Sequence, residues 1–217
     1  MKKLIALIAV AVTAVAVAAA DPLIVIHGFV NLNALGTSFK QEEISDVSSF
    51  GAFGKNVSVG GGVGVNIPFG GYFGVQPGID IYANRLGYKF EGSDSTYAYS
   101  YVSMDIPVLF TAKVEKWNFQ LGPYLSIPLG KLKGVGTFGS YSIESESDIT
   151  SNVLVGMLFG VGYEERLGLG RIVFGANYML DFMPIEYEVL GGTEKGFTRR
   201  GLIIDIGYKV PLTFFGG

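Results

Sequence analysis

"VSMDIPVLFTAK", residues 102–113, sets Val102, Met104, Ile106, Val108 and Phe110 at every second position, with Ser103, Asp105, Thr111 and Lys113 on the alternate ones. A period of two is that of a strand, whose successive side chains point to opposite faces. The stretch therefore predicts an extended segment with one bulky apolar face and one polar, charged face.

The same alternation predicts eight strands, at residues 24–35, 57–67, 72–88, 97–113, 117–129, 151–164, 171–183 and 200–213. In the sixth, Val153, Val155, Met157, Phe159, Val161 and Tyr163 oppose Asn152, Gly156, Gly160, Gly162 and Glu164. The seventh sets Ile172, Phe174, Ala176, Tyr178, Leu180 and Phe182 against Arg171, Gly175, Asn177 and Asp181. The eighth sets Leu202, Ile204, Ile206, Tyr208, Val210 and Leu212 against Gly201, Asp205, Gly207 and Lys209. Thirty-two glycines spread through these segments argue further against helices.

Connections alternate as well. Tight turns near Phe69-Gly70-Gly71, Glu115-Lys116 and residues 166–170 follow strands two, four and six. Longer polar connections, residues 36–56, 89–96, 130–150 and 184–199, follow strands one, three, five and seven. Short turns at the end holding both termini and longer loops at the other are the pattern of bacterial outer-membrane barrels. The expected fold is an all-β, eight-stranded antiparallel up-and-down transmembrane barrel.

A soluble barrel with its apolar side inward has the same period. The outward reading of the apolar faces rests on their bulk, on the acids and glycines of the opposite faces, and on aromatics near strand ends. Tyr72, Phe73, Tyr97, Tyr99, Trp117, Phe119, Tyr163, Phe182, Phe214 and Phe215 form the expected girdles. Hydrocarbon offers backbone groups no partners, so a sheet there must close on itself. An eight-stranded barrel has an interior that side chains fill. The expected filling is a charge network of Asp80, Asp105, Lys113, Arg171, Asp181, Asp205 and Lys209, with Arg85 as a further partner. Pro77, Pro107, Pro123 and Pro211 fall within strand candidates, and a closed barrel has no edge strand for them, so bulges or strand ends are expected there.

Met1-Lys2-Lys3, an apolar run and Ala18-Ala19-Ala20 before Asp21 make a signal peptide over residues 1–20. The barrel domain then spans 21–217, and loss of Lys2 and Lys3 leaves 14 basic and 19 acidic residues, a formal charge of −5. No clustered basic tract suggests nucleic acid. With no cysteine, stability is expected from packing and closure, and thiol chemistry is excluded.

Tyr101-Val102-Ser103-Met104-Asp105-Ile106-Pro107-Val108-Leu109-Phe110, followed by Phe119-Gln120-Leu121-Gly122-Pro123-Tyr124-Leu125, resembles the "acid-Ile-Pro, then Gly-Pro-Tyr" hairpin of PorT-like outer-membrane β-barrel proteins. Phe159–Glu164 and Gly175–Tyr178 are similar to that family's next hairpin. The resemblance implies a scaffold without catalytic residues and an envelope or secretion role. Phe214-Phe215 precede Gly216-Gly217, whereas the last strand of many such barrels ends on an aromatic residue.

His27, the only histidine, accompanies no nucleophile elbow or triad order and reads as a hydrogen-bonding strand residue. Gly60–Gly64 lacks the Lys-Ser/Thr of a phosphate loop. Glu42, Glu43 and Asp46, and Glu144, Glu146 and Asp148, lack calcium-loop spacing and read as solvated surface. No enzyme activity, cofactor or metal is expected. The expected partners are outer-membrane lipid, the outer-membrane assembly machinery, and an extracellular or envelope partner at the long loops. A narrow channel, or a soluble periplasmic barrel holding an apolar ligand, are the alternatives.

Overall fold

Alternation builds a closed wall of eight long strands. The computed structural model describes residues 22–33, 38–39, 47–48, 56–90, 94–189 and 192–212. The expected signal peptide, Glu42, Glu43, Asp46, Phe214 and Phe215 lie outside the described residues. In chain order the strands are β1 (Leu23–Leu32), β2 (Ser38–Phe39), β3 (Val47–Ser48), β4 (Val57–Phe69), β5 (Phe73–Phe90), β6 (Thr96–Val114) and β7 (Trp117–Phe138). Then come β8 (Tyr141–Asp148), β9 (Leu154–Leu167), β10 (Gly170–Asp181), β11 (Glu186–Val189), β12 (Gly192–Lys195), β13 (Phe197–Thr198) and β14 (Arg200–Pro211).

The ring runs β1-β4-β5-β6-β7-β9-β10-β14 and returns to β1, every pair antiparallel. β1 closes it: Phe29 pairs with Gly60 of β4 on one side and Asp205 of β14 on the other. The three tight turns lie at residues 70–72, 115–116 and 168–169. Gly70, Gly71 and Gly168 take positive φ there, and so does Glu115 at 55°.

Outward positions are apolar, and the charged residues of the strands' other faces point inward. Ile26, Val63, Phe110, Leu121, Phe174 and Ile206 are half exposed or more, while Asp80, Asp105, Asp181 and Lys209 are buried. In the opening stretch Val102, Val108 and Phe110 are exposed, and Ser103, Asp105 and Thr111 are buried. Phe69, Tyr72, Phe73, Trp117 and Phe119 form an exposed aromatic band at the short-turn end, and Tyr163 meets Trp117 edge-on at 5.4 Å. Tyr97 and Tyr99 do not join a girdle. Tyr99 is buried inside the opposite mouth with Leu86, Tyr88, Tyr101, Tyr187 and Phe197, and Tyr97 packs against that cluster.

Three prolines are accommodated by interrupted rungs rather than bulges. Pro77 falls where the β4–β5 register skips two positions, Pro107 where β5–β6 does, and Pro123 where β6–β7 does. Each still has a partner in the following strand: Val108, Tyr124 and Met157 respectively. The missing N–H of each proline thus coincides with a gap toward the preceding strand. The one register shift lies between Ser100 and Val102. Pro211 ends β14.

Residues 130–150 are not a polar connection. β7 continues to Phe138, turns at Gly139-Ser140, and β8 runs back along it from Phe138↔Tyr141 to Lys131↔Asp148. About ten tilted residues cross a bilayer, so β6, with 19 residues, and β7, with 22, stand well clear of it. The connection 184–199 also carries structure, the β11–β12 ladder and β13, which pairs with β2.

The wall tolerates little at some positions. A Cβ on Gly122 would lie 2.0 Å from the Val108 carbonyl oxygen and 2.9 Å from the Leu109 Cα, both backbone atoms of β6. Gly122→Val is expected to destabilise the barrel by about 3 kcal/mol. A lower midpoint for loss of the heat-modifiable band in urea, against wild type, checks this.

Candidate functional site: the charged lumen

The inward faces of eight strands meet around a narrow axis, where any charge needs partners because desolvation is costly. The structure sorts these charges into tiers.

The outer tier is built on Arg199, which has no exposed surface. It lies between β13 and β14, so the last residue of the external connection turns inward. Its Nε donates to Asp181 Oδ2 at 2.9 Å and its Nη2 to Asp181 Oδ1 at 3.2 Å, a two-pronged contact. Nη2 also stands 3.2 Å from Asp105 Oδ2 as an ion pair, and Nη1 donates to Asn84 and Ser103, each at 3.2 Å. Tyr82 and Tyr124 flank the guanidinium at 5.7 and 5.9 Å. Ser103 and Ser126 donate to Asp105, and the Tyr124 hydroxyl to Asp181. One cation therefore joins β6 to β10, strands separated in the ring by β7 and β9.

Beneath it an apolar layer of Phe29, Tyr82, Leu109, Leu158, Met179 and Ile203 fills the section. Next comes a cavity of about 60 Å³, lined in part by His27, Gln76, Asp80, Gln120, Asn177 and Asp205. His27 Nε2 is 2.8 Å from Asp80 Oδ1, and Asn177 donates to both Asp205 oxygens at 3.3–3.4 Å and accepts from Gln120. Walls make room for these polar groups: a Cβ on Gly175 would lie 2.0 Å from both Asp205 oxygens.

The innermost tier, at the short-turn mouth, is built on Glu164, whose side chain is 4% exposed. Lys113 and Lys209 donate to it at 2.5 and 2.6 Å, and Arg171 at 3.4 Å. The seven residues expected to form one network thus fall into separate groups. Asp105 and Asp181 share Arg199; Asp80 takes His27; Asp205 takes Asn177; Lys113, Arg171 and Lys209 take Glu164 rather than an aspartate. Arg85 is exposed on the outer face and contributes only backbone atoms to the described bonds. Arg199 and Glu164 were missing from the expected network. Glu164 alternates with Tyr163 on a recognised polar face, whereas Arg199 stands in a connection with no period. Among the described residues no group of three or more His, Asp or Glu side chains forms a metal site.

A model of the outer membrane protein beta-barrel domain matches residues 23–186. The chain belongs to that family. The barrel is therefore a bacterial outer-membrane protein, and the soluble periplasmic alternative is set aside. Solved structures similar to it include OprG from Pseudomonas aeruginosa, with 14% identity, TM-score 0.47 and coverage of 89% of this chain and 97% of that one. Neisserial surface protein A shares 14% identity at TM-score 0.41, covering 88% and 97%. Ail, the attachment invasion locus protein of Yersinia pestis, in complex with the heparin analogue sucrose octasulfate, shares 13% at TM-score 0.38, covering 87% and 98%. No curated protein matches the chain.

Removing one partner from a buried ion pair typically costs 3–5 kcal/mol, because the other charge stays buried and uncompensated. Arg199→Met is expected to lower barrel stability by about that amount. Adding Asp105→Asn and Asp181→Asn to it should recover at least half the loss. Urea unfolding followed by tryptophan fluorescence of Trp117 checks both.

Proposed function

We propose that the protein is a structural outer-membrane barrel with a sealed lumen, without catalysis, whose biological work is done at its external surface. The observation that carries this reading is the β7–β8 hairpin. Every β8 residue from Tyr141 to Glu146 is exposed, and among the described residues β8 pairs along its length only with β7. An isolated bridge between Ile149 and Tyr187 ties its base to β11.

Among the described residues the far edge of 141–146 therefore has no backbone partner and is a template on which an extended segment of another protein adds a strand. Tyr141 and Ile143 supply exposed apolar contacts beside it. Glu144, Glu146 and Asp148 face the other way, with Lys131 within 3.6–3.9 Å of the last two. The partner in this reading is an extracellular or envelope protein. Residues 1–20 act as a signal peptide removed after Ala20, and the assembly machinery and outer-membrane lipid are the remaining partners. The β6–β7 hairpin motif supports a PorT-like placement within the family. The Arg199 tier and the apolar layer below it argue against a channel.

A photo-crosslinking amino acid at Tyr141 or Ile143 in intact cells is expected to give protein adducts, and one at lipid-facing Phe174 none. Adducts equally absent from all three positions would end the surface reading. Purified protein in planar bilayers is expected to pass no current above background; discrete conductance steps would contradict the sealed lumen.

A further inference from the structure

The short-turn mouth carries more positive charge than its partners neutralise. Lys209 of β14 stands directly opposite Arg171 of β10, and Arg171 directly opposite Arg166 of β9. Like charges placed opposite each other on adjacent strands destabilise a sheet, and here three stand in one row. Lys113 of β6 adds a fourth cation through its contact with Glu164.

Among the described residues Lys113, Arg171 and Lys209 form ion pairs with Glu164 alone and Arg166 with none, a formal excess of three before the exposed Glu115 of the β6–β7 turn is counted. The neighbouring Glu165 is engaged elsewhere, with Lys116 at 2.5 Å and the Tyr163 hydroxyl at 3.1 Å. The next inward acid on β14, Asp205, is four residues deeper, about 13 Å along the strand, and accepts from Asn177. Donors are in surplus too. An ammonium has three N–H groups and a guanidinium five, yet Lys113, Lys209 and Arg171 each make one side-chain bond among the described residues, all to Glu164.

Access is open on the same side. Arg166 is exposed, and the Arg171 side chain is 47% exposed against 5% for Lys209. We propose that this mouth binds a compact oxyanion of the phosphate class on the periplasmic side, held by Arg166, Arg171, Lys113 and Lys209, with Glu164 as a built-in competitor. The anion completes the neutralisation that one carboxylate leaves unfinished, through charge-assisted bonds of the kind Arg and Lys make with phosphate. Free phosphate and a phospholipid headgroup share this chemistry.

Titration calorimetry of full-length protein in maltoside detergent at low salt, with inorganic phosphate as the probe, tests the site. Saturable binding is expected, weakened about tenfold or more in Arg166→Gln/Arg171→Gln, which leaves the buried Lys209–Glu164 pair in place. Glu164→Gln is expected to do the reverse and tighten binding, because it removes the competing carboxylate. Where that variant fails to fold, the arginine pair decides. A heat-modifiability gel verifies folding of each variant. Binding that is absent, or unchanged in the arginine variant, overturns the proposal. In phosphatidylglycerol nanodiscs, phosphate binding is retained if the natural ligand is a free anion and blocked if a headgroup already occupies the mouth.

Discussion

Backbone hydrogen bonding in hydrocarbon governs this molecule. A strand in a bilayer has no water to pair its N–H and C=O groups, so each must find a neighbour on both sides. β1 supplies the closing step by pairing residue for residue with β4 and β14. Once eight strands close, the interior is too narrow for an aqueous pore, and every inward side chain meets several others. The glycines follow from that crowding: Gly122 and Gly175 stand where a methyl group would strike backbone or carboxylate. Pro77, Pro107 and Pro123 follow from the pairing demand, since each stands at a rung skipped toward the preceding strand.

Narrowness also explains why the lumen is sorted into tiers. A buried ion must be compensated within a few ångströms, so charges gather around single opposite partners rather than spreading into one network. Arg199 is the outer centre and Glu164 the inner one. The layer of Phe29, Tyr82, Leu109 and Leu158 separates them. Charge is consequently uneven along the axis: two acids share one arginine above, and at the other mouth Lys113, Arg171 and Lys209 share one acid.

The period-two pattern made the closed wall legible from residues alone, because sidedness in a strand is a local property. The tight turns were legible for the same reason, as Gly70-Gly71 and Gly168 demand conformations other residues avoid. What escaped was non-local. The partners of Lys113, Arg171 and Lys209 are fixed by which strands face each other across the lumen, and Glu164 gathers cations from β6, β10 and β14. Tyr99 is an aromatic near a strand end, as girdle residues are, yet β6 outruns the bilayer and carries it into the outer mouth. The β7–β8 hairpin had a signal in Phe138-Gly139-Ser140-Tyr141, a two-residue Gly-Ser turn between apolar residues. Gly134 and Gly136 broke the alternation that would have extended the strand to it.

Arg199 gives these features a common consequence. It terminates the connection that carries β11, β12 and β13, and its side chain is fixed inside the barrel by two carboxylates from opposite walls. Ile185, Tyr187 and Phe197 of that connection pack into the aromatic cluster at the outer mouth, and Thr150 and Ser151, just beyond β8, bond to the Glu186 carbonyl oxygen. The base of the projecting hairpin is thereby tied to a segment anchored in the lumen. A free strand edge is useful for recognition only if it is held rigidly enough that a partner does not have to order it on binding. The buried arginine thus fills the outer lumen and also anchors the connection to which the hairpin base is tied.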